Sequence, residues 1–337
     1  MKELTPLTFM EAVNGLQKSA VARAAIELDV FTHIARGCNT VESVAAATQA
    51  SAKGVRVLLD ALTVLRLLHK QDNRYQLTDE SALFLDRQSP RYMGDSVQFA
   101  LSPFIIDAFL NFTQAVRIGG HAVTSAGTVE AEHEVWVAYA RAMLPIAMPQ
   151  AVATAELAGR VTNILDIAAG HGMFGIQMLL RNPDARCVAI DWPAVLEFAI
   201  ANATQAGVAG RWQGLPGDAF VVDPGQGFDA VLLPNFLHHF SAEDCVAMLR
   251  RMHAAMLPQG RLFVVEMIPN DNRVTPSAPA WFATMMLAST PAGDAYTLPE
   301  YTAMLQASGF TAPSLHPVPG SARSIMVSRK QPASELW

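Results

Sequence analysis

From residue 161 onward, short apolar runs alternate with helical patterns, and this alternation limits the fold more than any other feature. The runs lie at 163–167, 187–190, 212–215, 230–233 and 262–266. Helical patterns lie between most of them, notably at 193–207 and 241–256. Strands joined through helices cannot form hairpins; they pair in parallel, and the helices cover both faces of the sheet. The predicted fold class is therefore α/β, with a Rossmann-like sheet. A further run at 324–328 (SIMVS) predicts one more strand.

The first of these strands runs into 170–175, GHGMFG, a literal G-x-G-x-x-G. Alone this pattern fits a dinucleotide equally well. Glycine lets the backbone turn sharply and approach a ligand. Carboxylates separate the alternatives. Asp166 ends the first strand, where it can meet an ammonium group. Asp191 ends the second, where it can accept from both ribose hydroxyls. Asp218 follows the third, within Gly217-Asp218-Ala219-Phe220, where it can accept from an adenine amine beside an apolar surface. Three acidic groups after three successive strands suit a cationic adenosine-bearing ligand and would repel a pyrophosphate. Taken singly, Asp166 and Asp191 are less readily explained as ordinary caps or turn residues than Asp218, for which that reading is as good as the functional one.

Residues 1–100 read as short helices and a hairpin. Phe9, Val13, Leu16, Ala20 and Ala24 recur at helical spacing. Asn39 with Glu42 predicts the start of a helix over 41–48, and Ser51 caps another whose stripe is Val55, Leu58, Leu59, Leu62 and Leu65. Residues 73–78 alternate like a hairpin strand. The order suggests a winged helix, a shape that invites a DNA-binding reading. However, this segment holds eleven Lys plus Arg against eleven Asp plus Glu, and reading DNA needs a net positive face. A packing or dimerisation module is the better expectation.

Residues 101–160 are rich in aromatics and methionine and predict a helical, pocket-forming linker. A 337-residue chain that is about half apolar and carries few charges can bury a large core. A net charge of −6 argues against a general nucleic-acid binder. Cys38, Cys187 and Cys245 lie far apart, with neither metal nor disulfide spacing. The apolar runs are short and interrupted, and the first twenty residues lack a secretory pattern. The expected location is therefore cytoplasmic, with no membrane partner.

Taken in order, LDIAAGHGMFG (165–175), AIDWPAVLE (189–197), PGDAF (216–220), NFLHHFSAEDC (235–245), LPQGRLFVVEMIP (257–269) and MMLASTPAGDAYTLPEY (285–301) form a specific signature. The chain resembles, over nearly its whole length, the small-molecule O-methyltransferases of the plant type and their bacterial relatives, which use S-adenosylmethionine. The resemblance implies a winged-helix dimerisation domain over 1–100, a class I methyltransferase domain over 101–337 and a homodimer. It implies that Gly170 and Gly172 approach the cofactor, that Asp191 holds its ribose, and that Asp218 and Phe220 hold its adenine. Asp166, Trp192, Gly217, Ala219 and Asn235 complete the expected cofactor set.

Methyl transfer requires aligning donor and acceptor, excluding water and removing the acceptor's proton. Histidine titrates near neutrality and suits the last task. His238 matches the family's base. His239 stands where the family has an aspartate, and it is a candidate assistant. Glu266 matches one acidic partner of the base. The second partner aligns with Ala295, so Asp294 is the expected substitute. Pro234 replaces a lysine of plant members, and that lysine's cofactor contact does not carry over. Met143 matches the family's substrate-facing methionine and Tyr139 its aromatic neighbour. Phe236, Trp281, Phe282, Met285, Met286 and Thr290 are expected to line the rest of the acceptor site. So few polar groups imply a flat, apolar acceptor, aromatic or polyketide-like.

Other readings remain open to the sequence. They are a carbon or nitrogen acceptor, including keto-acid carbon, a non-methylating relative, a ligand-sensing regulator and a nucleotide-cofactor oxidoreductase. A metal held by His238, His239 and Asp294 is a further one.

Overall fold

A computed structural model describes residues 4–122 and 135–331. The chain divides into two compact units, Met1–Ser102 and Pro103–Trp337.

The first unit is helical. Helices Val30–Ala35, Val41–Thr48 and Ala52–Val64 precede a hairpin of β1 (Leu68–Gln71) and β2 (Arg74–Leu77). This is the order predicted from the sequence. Asp72 and Asn73 connect the two strands with φ of 48° and 62°, as a twisted two-residue hairpin turn requires. Ser51 caps its helix by accepting from the Gly54 N–H at 3.1 Å. The preceding helix is capped by Thr40, not Asn39: Thr40 and Ser43 bond reciprocally. Asn39 instead accepts from Arg74 and Tyr75 of β2. Val55, Leu59 and Leu62 enter the core as expected, with Phe31, Leu68 and Tyr75. The earlier stripe does not. It is split at Asn14 into helices Leu7–Val13 and Gly15–Glu27, and Phe9, Val13 and Leu16 are more than half exposed.

The second unit is built on a seven-stranded sheet. Its strands are β3 (Asn163–Ile167), β4 (Arg186–Asp191), β5 (Trp212–Pro216), β6 (Phe228–Pro234), β7 (Met256–Glu266), β8 (Ser314–Pro317) and β9 (Ser324–Arg329). Their spatial order is β5-β4-β3-β6-β7-β9-β8. The first five are parallel; β9 runs antiparallel to both β7 and β8. All six sequence-predicted strands are present. The additional one, β8, is short, mostly exposed and ends on Pro317, features that suit only an edge.

A buried apolar cluster lies on each face of the sheet. Helix Val135–Ala158 contributes Ala147, Ala151 and Ala155 to one of them, and this four-residue spacing places them on one helix face. Helix Met173–Arg181 approaches the sheet so closely that a Cβ at Gly175 would lie 2.7 Å from the Cys187 sulfur. β3 and β6 sit side by side, so the strand order reverses beside them and opens a crevice at their carboxyl ends. Among the described residues, no single helix is long and apolar enough to cross a membrane.

Candidate active site

The crevice holds a cavity walled by five segments. These are the turn after β3, the ends of β4 and β5, the segment after β6, and one face of helix Val135–Ala158. Gly172 has φ of 74° and begins helix Met173–Arg181 from a left-handed conformation that favours glycine. Two non-glycine residues on the cavity wall are also left-handed, Ala168 (φ 51°) and Asn235 (φ 54°). Such backbone is costly and is concentrated where surrounding structure enforces it.

Asp191 lines the cavity at the tip of β4. One carboxylate oxygen accepts from Gly170 N–H and the other from Trp192 N–H, both at 2.7 Å. Burial raises its pKa to about 6, against the lowering effect of those two bonds. Asp218 lines the cavity and accepts from Phe220 N–H at 2.8 Å. Gly170, Trp192, Gly217, Ala219, Phe220 and Asn235 line it as well. Gly172 supports the turn from behind: its backbone faces Ala199 and Trp212. Asn235 Oδ1 is taken by Arg323.

Asp166 departs from expectation. It is fully buried and is not on the cavity wall. Its Oδ2 accepts from Gly175 N–H at 3.0 Å, which anchors the helix to β3, while Oδ1 has no hydrogen-bond partner. Burial pushes its pKa up to about 8, against the lowering effect of the Gly175 bond. The folded pKa lies above the unfolded one. Its contribution to stability is therefore complete below about pH 4 and is lost as pH rises through about 8. Asp166→Asn is thus expected to flatten the stability decline between pH 6 and 8, by about 2–3 kcal/mol at one pKa unit per 1.36 kcal/mol. Urea unfolding at the two pH values measures it, and equal declines in both proteins would refute it.

Beyond β6, a short turn Leu237–His239 carries both histidines. His238 is buried, and its Nδ1 pairs with Glu266 Oε2 at the end of β7. Glu266 is fully buried. Its Oε1 accepts from the N–H groups of Phe236 (3.1 Å) and Leu237 (3.0 Å). These bonds supply the donors that a buried carboxylate needs. An ionised Glu266 keeps the proton on Nδ1 and leaves Nε2 as a lone pair. The Phe282 and His238 rings meet nearly perpendicular, their centroids 4.7 Å apart. His239 is on the cavity wall, edge-on to Trp136 at 5.4 Å. Burial, reinforced by His238, holds its pKa well below the usual range, so it is a neutral wall group.

Asp294 does not orient His238. Its carboxylate faces Arg273 Nη1 at 3.3 Å and accepts from Ala295 N–H at 2.8 Å. This engagement also takes it away from the sequence-based metal alternative. Asp294→Ala is expected to change turnover no more than about twofold, as for a half-exposed ion pair; a loss of tenfold or more would restore its expected role.

Of the residues expected to face the acceptor, Tyr139, Met143 and Phe236 line the cavity. Met285, Met286, Phe282 and Thr290 are not on the described wall. Thr290 instead closes its helix, donating to the Met286 carbonyl (2.7 Å) and accepting from Gly293 N–H (2.8 Å). Trp281 is exposed. Trp136, one of the aromatics of the pocket-forming linker, lines the wall, and Ala140, Ala147, His171, Phe174 and Phe240, which sequence reasoning passed over, line it too. Trp136, Ala140, Met143 and Ala147 sit at helical spacing, a signal that the sequence does carry.

The residues present fit S-adenosylmethionine. The described wall has carboxylates at Asp191 and Asp218, an aromatic group of Phe220, Phe236 and Phe240, and no lysine or arginine. A cationic nucleoside suits that set; a pyrophosphate does not.

Comparison with known proteins agrees. The O-methyltransferase domain profile matches residues 91–311, and the O-methyltransferase dimerisation domain profile matches residues 10–87. A 3-hydroxy-5-methyl-1-naphthoate 3-O-methyltransferase from Streptomyces sahachiroi is 27% identical over 316 residues, covering 90% of this chain and 89% of the relative. A crystallised Nostoc punctiforme chain ascribed to the O-methyltransferases is 43% identical with a TM-score of 0.95, covering 97% of this chain and all of that one. Human N-acetylserotonin methyltransferase, solved with S-adenosylmethionine, shares the fold at a TM-score of 0.83 and 22% identity, covering 98% of this chain and 99% of that one.

Proposed function

This chain belongs to the O-methyltransferase family, an S-adenosylmethionine-dependent enzyme family, and from that premise we propose that it methylates a hydroxyl of a flat aromatic or polyketide-like metabolite, with His238 as general base. The observation that carries this reading is the buried His238–Glu266 pair at the carboxyl edge of the sheet; His238 lies behind the described wall, its ring centroid 4.3 Å from that of His239, which lines the apolar cavity.

The methyl donor supplies an electrophilic carbon on a sulfonium that is already a good leaving group. The protein's tasks are placement and proton removal. Asp191 would accept from the ribose hydroxyls, Asp218 from the adenine amine, and Phe220 would cover the adenine face. Trp136, Tyr139, Met143, Phe236 and Phe240 would hold the acceptor's ring and exclude water. Glu266 fixes the tautomer and the direction of His238, whose Nε2 takes the hydroxyl proton as the methyl is transferred. Glu266 then stabilises the imidazolium that forms.

The relative that methylates a 3-hydroxy-naphthoate supports an aromatic hydroxyl as acceptor, as does the scarcity of polar groups on the wall. Incubation with methyl-labelled cofactor and a panel of phenols, naphthols and hydroxyquinones tests it. Label on an aromatic oxygen is expected; label only on carbon or nitrogen would overturn it.

Residues 1–100 would form the dimerisation part and 101–337 the catalytic part, with the pocket-forming linker over 101–160. The dimerisation profile and the exposed Phe9, Val13 and Leu16 support a homodimer. Sedimentation is expected to show a dimer at micromolar concentration and a monomer for Leu16→Glu. A monomeric wild type would contradict it.

A further inference from the structure

Arg323 stands immediately before β9 and is only 7% exposed. Its Nε donates to Oδ1 of Asn235, which follows β6. Its guanidinium also hydrogen-bonds the hydroxyl of Tyr139, on helix Val135–Ala158. Its own N–H bonds Ser321 Oγ at 3.0 Å, and Ser321 in turn accepts from Gln150 Nε2 of the same helix at 2.9 Å. Two distant segments therefore converge on one buried cation, and Gln150 and Ser321 fix the backbone that carries it. Among the described residues, no carboxylate lies within ion-pair distance of it. A buried charge is costly without compensation, and the methyl-transfer reading gives Arg323 no task.

A guanidinium has five N–H groups and no acceptor. Asn235 can face it only through its carbonyl oxygen, which turns the amide nitrogen the other way. Asn235 lines the cavity. Tyr139 likewise presents its oxygen to Arg323 and keeps its own proton to donate. Arg323 thus sets the polarity of this part of the wall, making it a donor rather than an acceptor.

We propose that Arg323 is a positioning residue that aims the Asn235 amide N–H groups into the cavity to recognise an oxygen lone pair, a carboxylate or carbonyl, on a bound ligand. The inference rests on the cavity being the methyl-transfer site. The oxygen belongs either to the amino-acid carboxylate of the donor or to a carbonyl or carboxylate on the acceptor.

Calorimetry of S-adenosylhomocysteine and of 5′-methylthioadenosine, which lacks the amino-acid portion, separates the two sources. The proteins are wild type, Arg323→Met and Asn235→Asp. The last is nearly isosteric, replaces donor by acceptor and covers the case in which Arg323→Met fails to fold. If the oxygen is the donor's, S-adenosylhomocysteine weakens about tenfold or more and methylthioadenosine is unchanged. If it is the acceptor's, both nucleosides are unchanged. The KM for a hydroxynaphthoate or hydroxynaphthoquinone then rises about tenfold relative to that for an unsubstituted naphthol. Loss shared equally by both members of each pair, or no loss in either, overturns the inference. Wild type that binds neither nucleoside overturns the reading of the cavity itself.

Discussion

Exchanging His238 for alanine is expected to lower kcat by about 10²–10⁴-fold, the range for loss of a positioned general base. Affinity for S-adenosylhomocysteine should stay within a few-fold of wild type. The reason for this split is spatial. His238 is tied to Glu266 at the end of β7, whereas Asp191 and Asp218, the carboxylates assigned to the cofactor, follow β4 and β5. Glu266→Gln should act in the same direction, because a neutral amide no longer stabilises the imidazolium formed during proton transfer. It also supplies only one acceptor oxygen where three donors now converge. Single-turnover kinetics beside calorimetry measure the two quantities separately. Equal losses in both would mean that His238 holds the fold of the site and does not move a proton.

Asp191→Asn is the second large effect. It is expected to weaken cofactor binding by about 10–100-fold, the value of hydrogen bonds to a charged acceptor. The acid carries a built-in pH dependence as well. Burial holds its pKa at about 6 in the free protein. Only the ionised form has lone pairs for both ribose hydroxyls. The wild-type Kd should therefore rise about tenfold for each pH unit below 6, and the dependence should disappear in Asp191→Asn. A flat wild-type profile from pH 7 to 5 would show that the ribose is held elsewhere.

The sequence made the sheet legible because β3, β4, β5, β6 and β7 are short apolar runs separated by helical patterns. It concealed β8, whose exposed residues and terminal proline carry no apolar signature. Asp191, Asp218 and the glycine turn were readable for a local reason: each sits where a parallel strand ends, and strand ends face the crevice. Asp166 obeyed the same rule in sequence but lies deeper in β3, where it turns onto the Gly175 N–H. Distance in the chain hid more. Nothing near Asp294 announces Arg273, which draws its carboxylate away from His238. Arg323 meets its partners only after β9 is laid against β7. The exposed Phe9, Val13 and Leu16 show a limit of periodicity, which marks an apolar face without saying whether the same chain covers it.

We propose that His238 removes a hydroxyl proton while methyl passes from S-adenosylmethionine to oxygen. The most direct test is single-turnover transfer of labelled methyl to a naphthol, compared between wild type and His238→Ala from pH 6 to 10. O-methylated product is expected, with a deficit of the variant that is large near neutrality. That deficit should shrink as pH approaches the naphthol's own pKa, because a phenolate needs no base. A deficit that stays constant across the range, or an undiminished rate in the variant at pH 7, would contradict it.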